Sequence, residues 1–305
     1  MIARSPTALE TIGLTLRHGR RTLLDACSLR VPRGAVCGLV GPNGAGKSLL
    51  LSAAAGLVAP QEGEVTVLGL PAGDAQVLPE VGFVDQQRSL YRRMTVAELL
   101  ETGRRTNVRW QPARAQELLD LGRVPLGCGI GALSGGQRTL VAVALARAKA
   151  PKLLLLDEPL ADLDPLVRRA VMGLLLTDVA DEGVTVLLST HILTDLDEVV
   201  DHLVLLDGGR VRLAGELPEL LAAHRYLDRG ADDARPWPGL LVEQTGAGAG
   251  SSALVRLEQS AAEAVGADAR PTLEELVLSY LRSPGADRWL SPGMRPDPAR
   301  GVLIP

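Results

Sequence analysis

A short glycine-rich stretch between an apolar run and a helical segment constrains this chain more than any other feature. Residues 41–48 read GPNGAGKS; they follow the apolar run AVCGLV of residues 35–40, and residues 47–57 have helical spacing. Glycines let backbone amides turn inward without Cβ clashes, and the start of a helix adds a partial positive charge. A strand, a turn and a helix in this order predict a loop that cradles phosphate groups.

The loop matches the spacing G-x-x-x-x-G-K-S/T, which places a lysine and a hydroxyl at its end. We expect Lys47 to reach the β- and γ-phosphates of a nucleotide, and the Ser48 hydroxyl to coordinate Mg²⁺. The residues expected to hold the phosphates are Gly41, Pro42, Asn43, Gly44, Ala45, Gly46, Lys47 and Ser48. The motif predicts the P-loop class of nucleotide-binding proteins and does not choose among the families of that class.

Two neighbouring carboxylates follow a second apolar run. Residues 153–156 are four leucines, and Asp157 and Glu158 come directly after them. A solvated helix cap would also carry two acids, but a cap does not end a strand of leucines, so we interpret the run as a buried strand with carboxylates at its carboxyl end. We expect Asp157 to hold Mg²⁺ through water and Glu158 to act as the general base on an attacking water.

Further motifs stand in a fixed order around these two. Residues 133–137 read LSGGQ and begin a helical run, and residues 163–164 lie in PLADLDP. His191 ends the next apolar strand, and Gln86 follows the strand VGFVD, which favours it over the neighbouring Gln87. Together with the phosphate loop and the carboxylate pair, these motifs resemble those of ABC (ATP-binding cassette) transporter ATPase subunits. The resemblance covers residues 9–225.

The resemblance implies roles for the remaining residues. Two such domains meet head to tail, so one copy closes over the ATP that Lys47 of the other copy holds. The residues expected to contact ATP in this way are Ser134, Gly135, Gly136, Gln137 and Asp164. His191 is expected to bond the γ-phosphate and the attacking water, although a lone histidine at a strand end is more often structural. Gln86 is expected to contact Mg²⁺ and to sense a membrane partner.

The chain departs from the family at several binding positions. His18 lies where an aromatic residue usually stacks on adenine; an exposed turn histidine is the alternative. Leu49 replaces a threonine that would face the α-phosphate, Asp85 stands where proline is common, and Leu140 occupies a position that is often basic. None of these residues touches the groups that bind Mg²⁺ or activate water. We therefore expect weaker nucleotide binding and an intact ATPase that uses ATP and Mg²⁺.

The order of apolar and helical segments predicts an α/β fold of the P-loop ABC type. We expect an ATPase domain over residues 1–225, with an antiparallel β subdomain near its start and a helical subdomain inserted at about residues 88–148. A small C-terminal α/β extension is expected over residues 226–282, with 228–252 as linker or loops. Residues 283–305, which are rich in proline, are expected to form a mobile tail.

Composition excludes some functions and favours others. The net charge of −4 argues against a general nucleic-acid binder, and no stretch of about 18 apolar residues is present.

We expect a homodimer on the inner face of the cell membrane, in the cytoplasm, bound to a separate permease. The segment TLEELVLSYLR and the strands before it resemble the end of exporter ATPases of the ABC-2 type, which move small molecules, drugs, antibiotics or peptides.

Three other classes stay open from the sequence. An importer ATPase more often carries an appended β-barrel, and the segments after residue 225 offer few strands for one. A non-transport ABC ATPase that acts on ribosomes normally carries two nucleotide domains, and one that repairs DNA splits its motifs around a long coiled coil. This chain has one set of motifs and no heptads between residues 47 and 131.

Overall fold

The computed structural model describes residues 6–196, 199–230, 236–246, 250–258 and 269–296. The strands are β1 (Thr7–His18), β2 (Arg21–Pro32), β3 (Val36–Val40), β4 (Glu62–Val67), β5 (Leu70–Pro71), β6 (Val81–Val84), β7 (Leu153–Asp157), β8 (Thr185–Thr190), β9 (His202–Asp207), β10 (Arg210–Glu216), β11 (His224–Gly230), β12 (Leu240–Thr245), β13 (Gly250–Arg256) and β14 (Trp289–Leu290). The helices are α1 (Lys47–Ala54), α2 (Val96–Thr106), α3 (Pro112–Leu121), α4 (Gly135–Ala148), α5 (Pro165–Glu182), α6 (Leu217–Ala222) and α7 (Leu273–Arg282).

A seven-stranded sheet with the order β14-β10-β9-β3-β8-β7-β6 forms the centre of the molecule. The five strands from β9 to β6 run parallel, and their residues are almost all buried, as expected for a sheet covered on both faces. The predicted hairpin at Gly208 and Gly209 joins β9 to β10, and both glycines have positive φ. The carboxyl ends of β3, β8, β7 and β6 therefore lie side by side.

Alternating residues of the central strands face two separate apolar cores. In β7, Leu153 and Leu155 pack with α1 and the first sheet, whereas Leu154 and Leu156 pack with α4 and α5. The first sheet, with the order β2-β1-β4-β5, is antiparallel, as the sequence predicts. Gly209 of the β9–β10 hairpin links this sheet to the phosphate loop. Its carbonyl accepts the Asp25 amide of β2, and its amide donates to Ala45 O of the loop.

Helices α2, α3 and α4 lie within the predicted insertion and pack on the apolar core that contains Leu154 and Leu156. An ion cluster joins α3 and α4 to α5. Arg147 of α4 forms a bidentate pair with Asp178 of α5, at 2.5 and 2.9 Å, and also binds Glu117 of α3 at 2.8 Å. Bidentate pairs fix orientation as well as distance, so this cluster sets the angle of the inserted helices to the sheet.

The region after α6 differs from the prediction. Residues 228–252 were expected to be linker or loops, although LLVEQ and ALVRLEQ are strand-like; β11, β13 and β12 form an antiparallel three-stranded sheet that overlaps this range, with β13 in the middle. Helix α7 packs beside it, and its apolar residues belong to the same core as β7 and β8. The predicted boundary at residue 225 falls inside β11. Backbone pairing across the sheet overrides the turn-forming composition of this segment.

Part of the segment that was expected to form a mobile tail packs on the central sheet. Trp289 and Leu290 pair in parallel with Leu213 and Ala214 of β10, and the side chain of Met294 is fully buried. β14 therefore pairs with the edge of β10 that would otherwise be open and is itself the outermost strand of the central sheet. Residues 297–305 lie outside the described residues. Among the described helices, none has the length and apolar character needed to cross a bilayer.

Candidate active site

The phosphate loop contains two glycines in backbone conformations that residues with side chains rarely adopt. Gly41 has φ 148°, and a Cβ there would lie 2.0 Å from Leu206 O. Gly46 has φ 107°, and a Cβ there would lie 2.4 Å from Leu24 Cδ2. The loop is therefore wedged between β9 and β2, and α1 begins at its end with Lys47. This arrangement of residues 41–48 agrees with the predicted strand, loop and helix.

Lys47 is buried in the loop that it ends. Its Nζ donates to Gly41 O at 2.7 Å and to Pro42 O at 3.1 Å. Burial lowers the pKa of this ammonium, while the carboxylates of Glu158 and Asp157 oppose the shift. The lysine is thus held within electrostatic reach of both acids, and the loop carbonyls keep it where a phosphate could be bound.

Asp157 and Glu158 lie at the carboxyl end of β7, and both are buried. Ser189, at the end of the neighbouring β8, links them: its Oγ donates to Asp157 Oδ1 at 2.5 Å and accepts the Glu158 amide at 2.9 Å. Glu158 has φ 51°, a left-handed conformation that is unusual for a residue with a side chain. Its surroundings therefore hold this backbone in a strained form.

His191 meets Glu158 across the ends of β8 and β7. Its Nδ1 lies 2.6 Å from Glu158 Oε2. An ionised carboxylate can only accept, so Nδ1 carries the proton and donates it in this bond. The Glu158 side chain is 7% exposed and the His191 side chain 52% exposed. The buried acid is therefore oriented by a histidine that solvent or a ligand can reach. We call residues 41–48, Asp157, Glu158, Ser189 and His191 the P-loop edge.

Gln86 lies two residues beyond β6, and β6 pairs with β7 up to Val84 and Leu156. The turn at residues 85–89 therefore lies next to the Asp157 end of β7, and Gln86 is exposed there. Arg88, from the same turn, is buried and donates to main-chain oxygens of Asp157 and Glu158. The sequence places Arg88 in the segment expected to transmit movement to a membrane partner, but it does not predict these contacts, because an arginine in a polar loop is expected in solvent.

The LSGGQ residues form the start of α4. Ser134 caps the helix: its Oγ accepts the Gln137 amide at 3.2 Å, and Gln137 Oε1 accepts the Ser134 amide at 3.3 Å. Gly136 approaches the neighbouring turn so closely that a Cβ would lie 3.0 Å from Asp162 O. A glycine pair and a capped helix start thus leave backbone amides at the surface, which suits a phosphate group.

An open cleft of about 580 Å³ lies between this helix start and the turn at residues 162–164. None of residues 41–48 lines it. Asp164 is the N-cap of α5, where its Oδ1 accepts the amides of Leu166 and Val167, each at 3.1 Å. The predicted ATP contacts therefore fall into two groups: the P-loop edge, and a second surface made of residues 134–137 and 162–164, which we call the signature face.

The two departures at the binding loop lie in different environments. Leu49 is partly buried and packs against the core beneath α1. His18 is exposed at the end of β1, where it pairs with Arg21 across the hairpin to β2. Stacking of His18 on adenine stays a prediction.

The residues expected to bind Mg²⁺ fit the ion by chemistry. A serine hydroxyl, a glutamine amide and a carboxylate are all oxygen donors, which Mg²⁺ prefers. Within the described ranges, no group of three or more His, Cys, Asp and Glu residues could hold a metal ion. At a P-loop site, one or two protein ligands are completed by water and substrate phosphates. Ser48, Gln86 and Asp157 stay predicted ligands.

Comparison with known proteins gives a consistent result. The ABC transporter family model matches residues 24–161, and a model described as an AAA domain, putative AbiEii toxin of a type IV TA system, matches residues 131–197. The chain is 33% identical over 222 residues to the Nod factor export ATP-binding protein I of Rhizobium etli, covering 70% of each chain. It is 36% identical over 233 residues to the sulfate/thiosulfate import ATP-binding protein CysA of Burkholderia mallei, covering 70% of this chain and 65% of that one.

The solved structures lead to the same fold. The dimeric MJ0796 cassette in a post-hydrolysis state with ADP and Pi has a TM-score of 0.62 and 26% identity, over 68% of this chain and 98% of that chain. Among the curated relatives, the chain spans between 62% and 70% of the length of the first two.

A parallel sheet with a phosphate loop, an acidic strand end and a histidine at the neighbouring strand defines the class of P-loop ATPases. The chain belongs to the ABC transporter family, as one of its ATP-binding proteins.

Proposed function

We propose that this chain is the ATP-hydrolysing subunit of an ABC transporter and energises export of a small molecule, drug, antibiotic or peptide through a separate membrane permease. The observation that supports hydrolysis most directly is the 2.6 Å bond between His191 Nδ1 and Glu158 Oε2. It brings a general base and its orienting partner together at the same edge as the phosphate loop.

The mechanism follows from the P-loop edge. Lys47 exchanges its loop carbonyls for the β- and γ-phosphates of ATP. Glu158 Oε2 accepts the bond from His191, and Glu158 Oε1 takes the proton of the attacking water. His191 Nε2 contacts the γ-phosphate. Ser48, Asp157 and Gln86 would hold Mg²⁺, and the bound ion supplies neutralisation of the phosphate charge.

Assembly as a homodimer is part of the proposal. The P-loop edge and the signature face are separate surfaces of one chain, so the signature face of a second copy would cover the bound ATP. The dimeric MJ0796 cassette supports this arrangement. The permease would hold the pair on the cytoplasmic face of the membrane, and no nucleic acid is involved.

The C-terminal region supports export over import. It contains a three-stranded sheet and one helix that share the main core, and among residues 224–230, 236–246, 250–258 and 269–296 the sheet has three strands. The Nod factor relative is an export protein by its description. Import is the second candidate, because the CysA relative is described as an import protein.

Two measurements test the proposal. The purified chain should hydrolyse ATP only with Mg²⁺, and a tagged chain extracted from its native membranes in detergent should bring down a polytopic membrane protein in stoichiometric amount. Recovery with a solute-capture protein as well would replace export by import. Recovery with ribosomes or DNA would leave the ATPase and reject transport.

A further inference from the structure

Arg88 occupies a position that no motif assigns. It is only 6% exposed, although it lies in the turn at residues 85–89 between β6 and α2. Its backbone has φ 53°, a left-handed conformation shared with Glu158. A buried cation in a strained turn needs a reason, because burying a charge is costly unless several partners compensate.

The guanidinium of Arg88 gathers main-chain oxygens from two segments. Nη2 donates to Glu158 O at 2.5 Å, and Nη1 donates to Asp157 O at 3.2 Å. Nη1 also donates to Asp85 O at 3.0 Å, within its own turn. A planar guanidinium is the side chain that can bond several oxygens in a fixed geometry. Arg88 therefore joins the turn that carries Gln86 to the end of β7.

A third segment reaches the same guanidinium. Arg88 Nε donates to Thr139 Oγ1 at 3.1 Å, and Thr139 lies in α4, behind the signature face. The turn itself is closed by Asp85, whose Oδ1 accepts the Ser89 amide at 2.9 Å and whose Oδ2 accepts the Ser89 hydroxyl. A turn that is braced internally moves as one piece, so its displacement would carry Arg88 with it.

Glu158 is then held from three directions. Its amide donates to Ser189, its carboxylate accepts from His191, and its carbonyl accepts from Arg88. The first two partners belong to β8 and the residue after it, whereas Arg88 belongs to the turn next to Gln86. Of these three partners, Arg88 is the one that belongs to the segment that we expect to sense the permease, and it also donates to the main-chain oxygen of Gln86.

We propose that Arg88 is a positioning residue that sets the backbone of Glu158 and transmits movement of the 85–89 turn to it. This inference rests on the proposed function. A permease segment that shifts the turn would move the Glu158 carbonyl through one guanidinium and so change the rate of hydrolysis without changing the phosphate loop.

The test is steady-state ATP hydrolysis, with ATP binding measured separately, by wild-type protein, Arg88→Met, Arg88→Lys and Glu158→Gln. We expect Arg88→Met to lower kcat about 10- to 100-fold with KM and ATP affinity unchanged, because the loop of residues 41–48 is untouched. Arg88→Lys keeps the charge but not the fork and should recover part of kcat. Arg93→Met, at an exposed arginine of the same loop, is the matched control and should behave as wild type.

A double-mutant cycle decides whether Arg88 acts through Glu158. In single-turnover measurements, Arg88→Met should add no loss in the Glu158→Gln background, because the group it positions is already gone. Losses of kcat that multiply in the double variant would overturn the proposal. A rise in KM with unchanged kcat for Arg88→Lys would also overturn it. Arg88→Lys replaces Arg88→Met in these measurements if Arg88→Met does not fold. Absence of hydrolysis by the wild-type chain would reject the proposed function and the role of Arg88 with it; an active wild type with an unaffected Arg88→Met would reject only the latter.

Discussion

Two histidines near strand ends serve opposite purposes in this molecule. His191, on the P-loop edge, is half exposed and bonds a buried carboxylate. His224, at the start of β11, is fully buried: its Nδ1 donates to Leu220 O at 2.7 Å, and its Nε2 accepts the Tyr280 hydroxyl at 3.0 Å. The two histidines differ in their exposure and in the charge of their partners. These two properties, and not the residue type, separate a histidine of the candidate active site from a structural histidine.

The surroundings of His224 form that joint. Tyr280 comes from α7 and Trp289 from β14, and both rings meet the imidazole edge to face, at 5.6 and 5.7 Å between centroids. We call these three residues the C-terminal seam. Burial lowers the pKa of His224 to about 4, so its neutral form joins the C-terminal sheet, the last helix and the covering strand.

The largest effect is expected from a substitution in the P-loop edge. Glu158→Gln keeps the shape of the side chain and removes the base, so kcat should fall about 10³-fold while ATP binding persists. ATP should also trap a stable dimer, measured by sedimentation velocity. Rapid hydrolysis by this variant would show that Glu158 is not the base.

Removal of His191 should have a smaller effect, because the base remains. His191→Ala should lower kcat about 10- to 100-fold. Its free energy of unfolding should change by less than about 0.5 kcal/mol, since the side chain is half exposed. Hydrolysis and urea unfolding measure the two. A large loss of stability with normal kcat would make His191 structural, like His224.

The seam should respond to pH and not to ATP. The folded pKa of His224, about 4, is below its ordinary value of 6.5, so the unfolded chain binds the proton first as pH falls. The stability from the neutral form is complete above pH 6.5 and is lost between pH 6.5 and about 4. Between pH 7.5 and 5 this should cost about 2 kcal/mol in urea unfolding.

Two variants isolate that effect. His224→Gln should lack this part of the pH dependence, because it cannot titrate. Tyr280→Phe should keep the pH dependence and lose about 1 kcal/mol at every pH, because one buried hydrogen bond is gone. An equal acid slope in wild type and His224→Gln would contradict the seam as described.

These contrasts show what could be predicted from sequence. Glu158 and His191 were named from motifs in the order of the ABC family, and the structure brings them together because the parallel strands β7 and β8 end at the same edge. His224 and Trp289 belong to no motif, and their partners come from distant segments. The segments LLVEQ and ALVRLEQ indicated strands in β12 and β13, but nothing in the sequence predicted their pairing with β11, since pairing between strands leaves no local pattern of its own. The burial of Arg88 and its bonds to the end of β7 were not predicted, because only the fold makes a loop arginine buried.

The smallest expected effect concerns nucleotide affinity. The double variant His18→Tyr, Leu49→Thr should bind ATP several-fold more tightly, because a larger ring stacks better and a hydroxyl returns near the α-phosphate. His18→Ala is the opposing control and should bind more weakly than wild type. Isothermal titration gives the affinities, and equal values for wild type and the double variant would leave His18 as an exposed turn residue.

The central claim is that the signature face of one copy completes the P-loop edge of another, and mixing two inactive variants tests it most directly. Glu158→Gln lacks the base, and Ser134→Arg blocks the start of α4; each alone should be nearly inactive. Mixed without nucleotide and then given Mg-ATP, they should recover about a quarter of wild-type hydrolysis, because half of the dimers contain one intact site out of two. A chain that carries both changes is the inactive control. If the mixture hydrolyses ATP no faster than either variant alone or than this control, the two surfaces do not meet across a dimer and the account is wrong.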